Sequence, residues 1–408
     1  MTLQQDSTKG KYIFVILLAV FLDLLGITII IPVIPALFEG DNAPFEFSSV
    51  EIRSMFYGLL IGSYSVMQFI GAPILGAFSD KYGRRPILTI SLIGAFMGYL
   101  LFGWAISAGI FWLLFIARMI PGFMGGNLAV IYSSLADISK PQDRAKNFGL
   151  VGAAFGLGFT IGPGVGGFLA DNTIVSWFSY ATPFWFTALL TLINLILVRL
   201  FFPETLKNKS EKKISVFEGI KNIAKVFRIP KLRGILTIVL FIQLGFTFFT
   251  QFYSIILYRD LGFSVKEVGF LFLWIGIWMT FTQSFLVRIL SGKIDQRKLL
   301  SITIPILTVL VILLVFSDNV VLAYTVNALI AIAFGLTSPN LTALVSNEAP
   351  DHRQGEVLGI NQSVNSVGQL VPPLIGGFIL ALGTHYPVLV GGLVIMVASI
   401  LFWVKQRK

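Results

Sequence analysis

A short polar loop between two long apolar segments reads Gly76-Ala77-Phe78-Ser79-Asp80-Lys81-Tyr82-Gly83-Arg84-Arg85-Pro86. Gly83 is able to take the positive φ angle of a tight turn, and Pro86 suits the first turn of a following helix. The arginines of the loop seek a carboxylate, and Asp80 and the more distant Asp137 are natural partners. The loop therefore predicts a tight helix–turn–helix that carries a cluster of complementary charges.

The rest of the chain is too apolar for a soluble protein. Of its 408 residues, 56% are hydrophobic and only 12% are charged, whereas soluble domains carry roughly 25% charged residues. Runs such as 12–31 and 299–316 approach the ~20 residues that cross a hydrocarbon core of ~30 Å. A β-barrel would show alternating segments of about 10 residues instead. The sequence therefore predicts an all-α integral membrane protein.

Apolar periodicity and helix breakers predict about twelve spans in two groups of six. The spans lie near residues 11–38, 54–77, 86–107, 110–135, 146–170, 180–202, 233–258, 266–290, 298–316, 319–343, 355–381 and 385–404. We expect an N-terminal six-helix bundle over 1–202 and a C-terminal six-helix bundle over 233–408. The long polar interruption between them, residues 203–232, is predicted to be a basic cytoplasmic linker.

The basic residues predict the orientation. If both termini and the central linker share one side, the 30 lysines and arginines fall there with few exceptions, which are Arg53, Arg259 and Lys266 opposite and Arg118 and Arg199 within spans. Because the basic side of a membrane protein faces the cytoplasm, we expect both termini inside. This distribution explains the net charge of +10 without a nucleic-acid partner.

Several chemistries lack the residues they need. Cysteine is absent, so disulfides and thiol catalysis are excluded. The two histidines, His352 and His385, lie far apart in sequence, and no Walker-type phosphate loop is present to support an ATP-driven pump. We therefore expect no enzymatic activity, no metal and no cofactor.

The two halves resemble each other as repeats. Residues 141–144 read Pro-Gln-Asp-Arg and are followed by Pro-Gly-Val-Gly-Gly at 163–167; residues 350–353 read Pro-Asp-His-Arg and are followed by Pro-Leu-Ile-Gly-Gly at 373–377. The two pairs fall at the fifth and eleventh spans. That separation fits parallel six-span repeats related by an axis along the membrane normal.

The fifth span carries a regular series of small residues, namely Gly149, Gly158, Gly162, Pro163, Gly166 and Gly167. Small residues let helices approach closely and proline permits a kink, so a packing interface is one interpretation. The full spacing, Gly-x8-Gly-x3-Gly-Pro-x2-Gly-Gly, also resembles the signature of drug:proton antiporters. That resemblance implies export.

Two charges are predicted deep inside the spans. Asp23, alone among the 20 acidic residues, lies well inside a span, ~18 Å from Lys11 at 1.5 Å per residue. Arg118 lies ~14 Å from Gly109 on the opposite face, so the two depths nearly coincide in a core of ~30 Å. An uncompensated charge there costs ~2.5–3.5 kcal/mol. A structural ion pair is one interpretation; the other is a protonatable Asp23 whose charged form is held by Arg118 or by substrate.

Polar amides within the spans are candidates for the lining of a substrate cavity. For each of them, an interhelical hydrogen bond is the alternative role. The candidates are Gln68, Asn127, Gln243, Gln283, Asn327, Asn340, Asn361 and Gln362.

These segments together resemble the major facilitator superfamily. The loop 76–86 is similar to its signature loop, which implies a conformational latch that shuts the cytoplasmic side in one state and is formed here by Gly76, Asp80, Gly83, Arg84, Arg85 and Asp137. Residues 22–35, 72–76 and 203–206 are similar to the tetracycline-resistance-like branch of the twelve-span drug:proton antiporters. Tetracycline exporters carry acids in the third and ninth spans, where this chain has Gly98 and an uncharged 299–316, which argues against tetracycline as the substrate.

The resemblance implies a proton-coupled antiporter that exports small amphipathic molecules, as drug or metabolite efflux, by alternating access. Its partners would be a small-molecule substrate, protons and the lipid bilayer, and we expect a monomer in a bacterial inner membrane. Two alternatives stay open. One is a major facilitator importer or uniporter of a metabolite such as a sugar or peptide, and the other is a non-transporting membrane receptor or adaptor.

Overall fold

The computed structural model describes residues 2–39, 43–139, 144–206, 230–290, 293–348 and 354–406. Within them the regular elements are helices: α1 (Thr2–Thr28), α2 (Val33–Phe38), α3 (Val50–Tyr82), α4 (Arg84–Ser107), α5 (Phe111–Met124), α6 (Leu128–Ile138), α7 (Arg144–Leu169), α8 (Thr182–Phe201), α9 (Pro230–Arg259), α10 (Val265–Phe281), α11 (Val287–Leu290), α12 (Gln296–Leu313), α13 (Val320–Asn347), α14 (Gln354–Leu382) and α15 (Tyr386–Gln406). They provide 12 stretches long and apolar enough to span a membrane. The predicted all-α membrane fold is confirmed.

The observed spans follow the predicted ones to within a few residues, with three extensions. The second span runs over Val50–Tyr82, the fourth over Phe111–Ile138 and the tenth over Val320–Asn347, so all three reach further into the loops than hydropathy predicted. In each case the extra turns carry polar residues, which a search for apolar runs leaves out. Three spans are interrupted: the first by a turn after Thr28, the fourth by a 3-10 turn at Gly125–Asn127, and the eighth by a π-helical turn at Thr282–Leu286.

The chain forms two compact units. Unit 1 comprises Met1–Phe45 and Ser63–Phe217, and unit 2 comprises Glu46–Gly62 and Glu218–Lys408. The first residues of α3 therefore belong to unit 2, although hydropathy assigned the whole second span to the N-terminal bundle. The predicted linker 203–232 stays a prediction, because residues 207–229 lie outside the described part of the chain.

Unit 1 depends on close packing of α1 against α7. A Cβ added at Gly158 would lie 2.6 Å from Leu24 Cβ, and one added at Gly166 would collide with the carbonyl oxygen of Ile29. The hydroxyl of Thr28 donates to the carbonyl of Gly158 across 3.1 Å. Glycine is needed here because the two backbones approach more closely than any side chain allows.

Unit 2 has its own close contacts. Its helix α9 packs against α14 and α15, and α12 packs against α13 and α15. The hydroxyl of Tyr57 donates to the carbonyl of Gln251 across 2.8 Å. A Cβ added at Gly58 would lie 2.6 Å from the Cα of Gly377, so the first turns of α3 touch α14 backbone to backbone.

We predict that Gly166→Ala destabilises the folded protein, because its methyl group would meet the backbone of α1. Gly152→Ala is the matched control on α7, since a Cβ there has no neighbour within 4 Å. Alanine should be neutral or stabilising at that position by up to about 1 kcal/mol. Thermal unfolding of the two purified variants in detergent checks this, and equal melting temperatures would contradict it.

Candidate functional site

A cluster of polar side chains is buried inside unit 1, where α1, α3, α4 and α5 meet. The side chains of Asp23, Arg118, Tyr64, Tyr99 and Asn127 belong to it, and none is more than 8% exposed. Both tyrosines interact electrostatically with both charged groups. Asp23 and Arg118 had been singled out from depth alone, and the structure places them in one cluster. The tyrosines had not been predicted.

Three polar atoms of this cluster have no hydrogen-bond partner among the described residues: Asp23 Oδ2, Arg118 Nε and Asn127 Oδ1. The Asn127 side chain hydrogen-bonds the carboxyl of Asp23, which satisfies one side of that group. The predicted structural ion pair is therefore not made through Asp23 Oδ2 or Arg118 Nε. Asp23 Oδ2 and Asn127 Oδ1 are acceptors and the Arg118 Nε–H is a donor, so the cluster presents both kinds of polar group in one place.

Aromatic rings take the place of a carboxylate around Arg118. Its guanidinium carbon lies 4.5 Å from the centroid of the Tyr64 ring, within the range of a cation–π interaction. A Cβ added at Gly125 would lie 2.5 Å from the Tyr64 hydroxyl, and one added at Gly26 would overlap the Tyr99 hydroxyl. Each tyrosine hydroxyl thus occupies space that is free only because the facing residue is glycine.

The signature loop forms a second site in unit 1, centred on Arg84, which is 6% exposed. Its guanidinium contacts Asp80 Oδ1 at 2.5 Å, Asp137 Oδ2 at 3.2 Å and Ser79 Oγ at 2.7 Å. The structure thus brings together the three charges that the sequence had paired. Gly76 serves through its backbone, because its carbonyl accepts the Ser79 hydroxyl at 2.7 Å.

Glu204 holds the N-terminus of α4, and its role was not predicted. Its Oε1 accepts from the backbone N–H of Arg84 at 2.9 Å, and its Oε2 accepts from that of Arg85 at 3.2 Å. A carboxylate at this position satisfies free amides and complements the helix dipole. Gly83 has a φ angle of 115°, and a Cβ on it would collide with the Glu204 carboxylate. The sequence signal for this role was the motif Pro203-Glu204-Thr205-Leu206. Its resemblance to the drug:proton antiporters had implied no function for it.

Arg85 and Thr205 tie this loop to the rest of unit 1. The Arg85 guanidinium donates to the carbonyl of Arg199 across 2.5 Å, and the Thr205 hydroxyl donates to Asp137 Oδ2 across 3.3 Å. The end of the sixth span is therefore fastened to the start of the third span and to the end of the fourth. We call Asp80, Arg84, Asp137 and Glu204 the loop cluster.

Unit 2 contains a related charge cluster that the sequence interpretation missed. Arg297 pairs with Glu348 at 2.8 Å, and Lys405 approaches the other oxygen of Glu348 at 3.6 Å. Arg297 is near the start of the ninth span and Glu348 follows the tenth, six spans after the positions of Arg84 and Asp137. The repeat was the available signal, because Arg84 and Arg297 lie near the starts of the third and ninth spans, which are six spans apart.

The antiporter-motif residues lie in α7. Gly158, Gly162 and Gly166 face α1, where Cβ atoms would meet Leu24, Thr28 and Ile29. This contact is the packing interface that was one of the two interpretations. Pro163 and Gly167 lie inside the helix, and the side-chain surroundings of Gly149 lie outside the described part of the chain. The glycines of this motif thus pack against α1, the helix that carries Asp23.

The eight cavity-lining candidates lie in different environments. In unit 1, Asn127 belongs to the buried cluster, and the Gln68 side-chain amide donates to the carbonyl of Gly125 at 3.3 Å. In unit 2, Asn327 is fully buried and donates to the Tyr253 hydroxyl at 3.1 Å, as the interhelical alternative predicted. Gln283 and Gln362 are exposed.

The other three candidates in unit 2 show mixed environments. Gln243 donates to Thr247 at 3.3 Å and Asn340 donates to the carbonyl of Leu336 at 2.7 Å, both within their own helices. Asn361 is buried, and its Oδ1 has no partner among the described residues. Among the residues that the structure describes, no group of three or more histidine, aspartate or glutamate side chains could hold a metal ion.

Comparison with known proteins identifies the class to which this fold and these sites belong. The chain matches the Major Facilitator Superfamily over residues 16–372 and 259–408. The tetracycline resistance protein, class H, of Pasteurella multocida is 32% identical over 380 residues, which cover 92% of this chain and 91% of that protein. Multidrug resistance protein 2 of Bacillus subtilis is 27% identical over 411 residues, covering 100% of this chain and 98% of that protein.

A solved structure supports the same fold. The human organic anion transporter MFSD10 superposes with a TM-score of 0.71 over 97% of this chain and 99% of that chain, at 22% identity. A polytopic membrane transporter, not an enzyme, is the class that these matches define. The chain belongs to the major facilitator superfamily and is related to its drug efflux antiporters.

We predict that Glu204→Ala lowers the melting temperature of the purified protein, because two backbone amides of α4 lose their acceptor. The loss should be about 1 kcal/mol, as for other helix N-caps. The melting temperature of Glu204→Gln should lie between those of the wild type and Glu204→Ala, since glutamine keeps an acceptor oxygen but not the charge. Glu46→Gln, at an exposed carboxyl, is the control. Unfolding temperatures that are equal in all four proteins would show that the contact does not stabilise the fold.

Proposed function

We propose that this chain is a proton-coupled antiporter that exports small amphipathic molecules. The observation that carries the proposal is a buried carboxyl group in the first span, Asp23, with one oxygen lacking a partner among the described residues. Ionisable groups inside spans are rare and mark proton or substrate pathways. Asp23 is thus the group that we assign to proton binding.

The surroundings of Asp23 suit a group that must be both charged and neutral during a cycle. The Asn127 amide hydrogen-bonds the carboxyl, and the Arg118 cation belongs to the same buried cluster. The second carboxyl oxygen, Oδ2, has no hydrogen-bond partner among the described residues. A carboxyl held on one side and open on the other is suited to load and release protons.

The cycle we propose exchanges one proton for substrate by alternating access. Asp23 takes up a proton on the outside as substrate leaves, and releases it on the inside. A proton that moves down 100 mV supplies ~2.3 kcal/mol. That energy sustains a roughly 50-fold gradient of a neutral substrate, since 1.36 kcal/mol is tenfold.

Two further features support export of amphipathic compounds. The relatives include proteins named for resistance to tetracycline, to multiple drugs and to quinolones. The fifth span has the antiporter spacing and packs on the helix of Asp23.

The proposed location is a bacterial inner membrane with both termini in the cytoplasm. The excess of lysine and arginine on one side supports the orientation, and relatives from Pasteurella multocida and Bacillus subtilis support the bacterial source.

We predict that Asp23→Asn abolishes proton-driven uptake of ethidium into inside-out vesicles, because the amide cannot bind and release a proton. An imposed pH gradient should drive ethidium accumulation by the wild type. Asp318→Asn, the same change at an exposed carboxyl, should leave accumulation intact, and immunoblotting should show equal amounts of each protein. Wild-type accumulation by Asp23→Asn would refute the assignment. Ethidium movement in the opposite direction would favour an importer.

We further propose that the loop cluster stabilises the state that is closed to the cytoplasm. Arg84 is buried and contacts two carboxylates, so loss of one contact removes a charge-assisted interaction worth about 1.5–3 kcal/mol. A conformational equilibrium that depends on this contact would shift by roughly tenfold or more.

We predict that Asp80→Asn raises the labelling rate of a single cysteine introduced at Asn340, probed with an impermeant maleimide from the cytoplasmic side. The chain has no native cysteine, so the label reports this position alone. Lys81→Gln, at the neighbouring exposed residue, is the control and should leave the rate unchanged. An Asp80→Asn rate equal to that of the control would show that the loop cluster is not a latch.

A further inference from the structure

Three residues on one face of the fourth span lie against the same tyrosine, Tyr64. Arg118, Gly122 and Gly125 are spaced at i, i+4 and i+7, which places them along one side of a helix. A Cβ added at Gly122 would lie 2.6 Å from the carbonyl oxygen of Tyr64, and one added at Gly125 would lie 2.5 Å from its hydroxyl. Gly122 thus fixes the tyrosine's backbone and Gly125 accommodates its hydroxyl.

The ring between these two anchors lies over the cation. The guanidinium carbon of Arg118 is 4.5 Å from the centroid of the Tyr64 ring, and both residues are 4% exposed. A desolvated cation–π contact is among the stronger ones of its kind. The Arg118 Nε has no hydrogen-bond partner among the described residues, so the face of the ring is a principal contact of this group.

We propose that Tyr64 is a positioning residue for proton coupling: its ring, not its hydroxyl, sets the place of Arg118 relative to Asp23. This inference rests on the proposed antiport function. Within the described chain, the titratable groups that interact in this cluster are Asp23 on α1, Tyr64 on α3, Tyr99 on α4 and Arg118 on α5. In this proposal the coupling comes from the cation that Arg118 contributes to the cluster of Asp23, because a charge in an apolar cluster acts on the ionisation of its neighbours. A displaced guanidinium should therefore alter proton binding.

The test compares the pH dependence of ethidium transport in Tyr64→Phe and Tyr64→Leu. Phenylalanine keeps the ring face and should keep the wild-type profile. Leucine removes the ring and should change the proton concentration at half-maximal transport by up to roughly thirtyfold, the equivalent of a desolvated cation–π contact of ~2 kcal/mol. An unchanged leucine profile would overturn the inference. A phenylalanine profile displaced as far as that of leucine would assign the effect to the hydroxyl and overturn it too.

A second pair of variants keeps the test valid if Tyr64→Leu does not fold. Gly125→Ala places a methyl group 2.5 Å from the Tyr64 hydroxyl and should displace the ring and the pH profile. Adding Tyr64→Phe removes the colliding oxygen, leaves the nearest ring carbon at 3.4 Å, and should restore the wild-type profile. Failure of this rescue would contradict the inference.

The same data separate this inference from the proposed function. If wild-type transport itself shows no dependence on the pH gradient, the antiport proposal fails. If wild-type transport depends on the gradient but is insensitive to every Tyr64 and Gly125 variant, only the positioning inference fails. Gly152→Ala, which has open space around its Cβ, controls for the addition of a methyl group to a span.

Discussion

The burial of one carboxyl and one guanidinium inside an apolar bundle is the constraint on which the structure of unit 1 depends. Neither Asp23 nor Arg118 is solvated, and isolated charges in hydrocarbon are unfavourable by several kcal/mol. The surrounding side chains offset only part of this cost: an amide hydrogen-bonds the carboxyl and the Tyr64 ring covers the cation. Among the described residues, Asp23 Oδ2 and Arg118 Nε are left without a hydrogen-bond partner, and Asp23 is the group that we propose for proton binding.

Glycine provides the geometry that makes this burial possible. On α7, glycines let α1 approach and thereby fix the helix of Asp23; on the fourth span, Gly122 and Gly125 let α3 approach and bring Tyr64 over Arg118. The loop cluster differs from the buried cluster in the partner of its arginine. There Arg84 contacts carboxylates directly. Unit 1 thus combines one incompletely satisfied charge site with one satisfied site.

The sequence predicts much of this arrangement and misses a definable part. Hydropathy locates the twelve spans because the bilayer fixes their length, and charge spacing pairs Arg84 with Asp80 and Asp137. Tyr64 and Tyr99 escaped notice because aromatic residues are abundant in these spans, and only the tertiary structure shows which of them face Arg118. The role of Glu204 was missed because it depends on contacts 120 residues away in sequence. The first turns of α3 joined unit 2 because packing, not hydropathy, decides to which bundle a helix belongs.

The most direct test of the account is infrared difference spectroscopy of the purified protein, recorded as ethidium is added at fixed pH. Proton coupling through Asp23 requires that its protonation changes when substrate binds. A change in the carboxylic-acid carbonyl band is therefore expected in the wild type and in Asp318→Asn, and it should be absent from Asp23→Asn. Ethidium binding with no change in that band, or the same change in Asp23→Asn, would contradict the central claim that Asp23 couples protons to substrate.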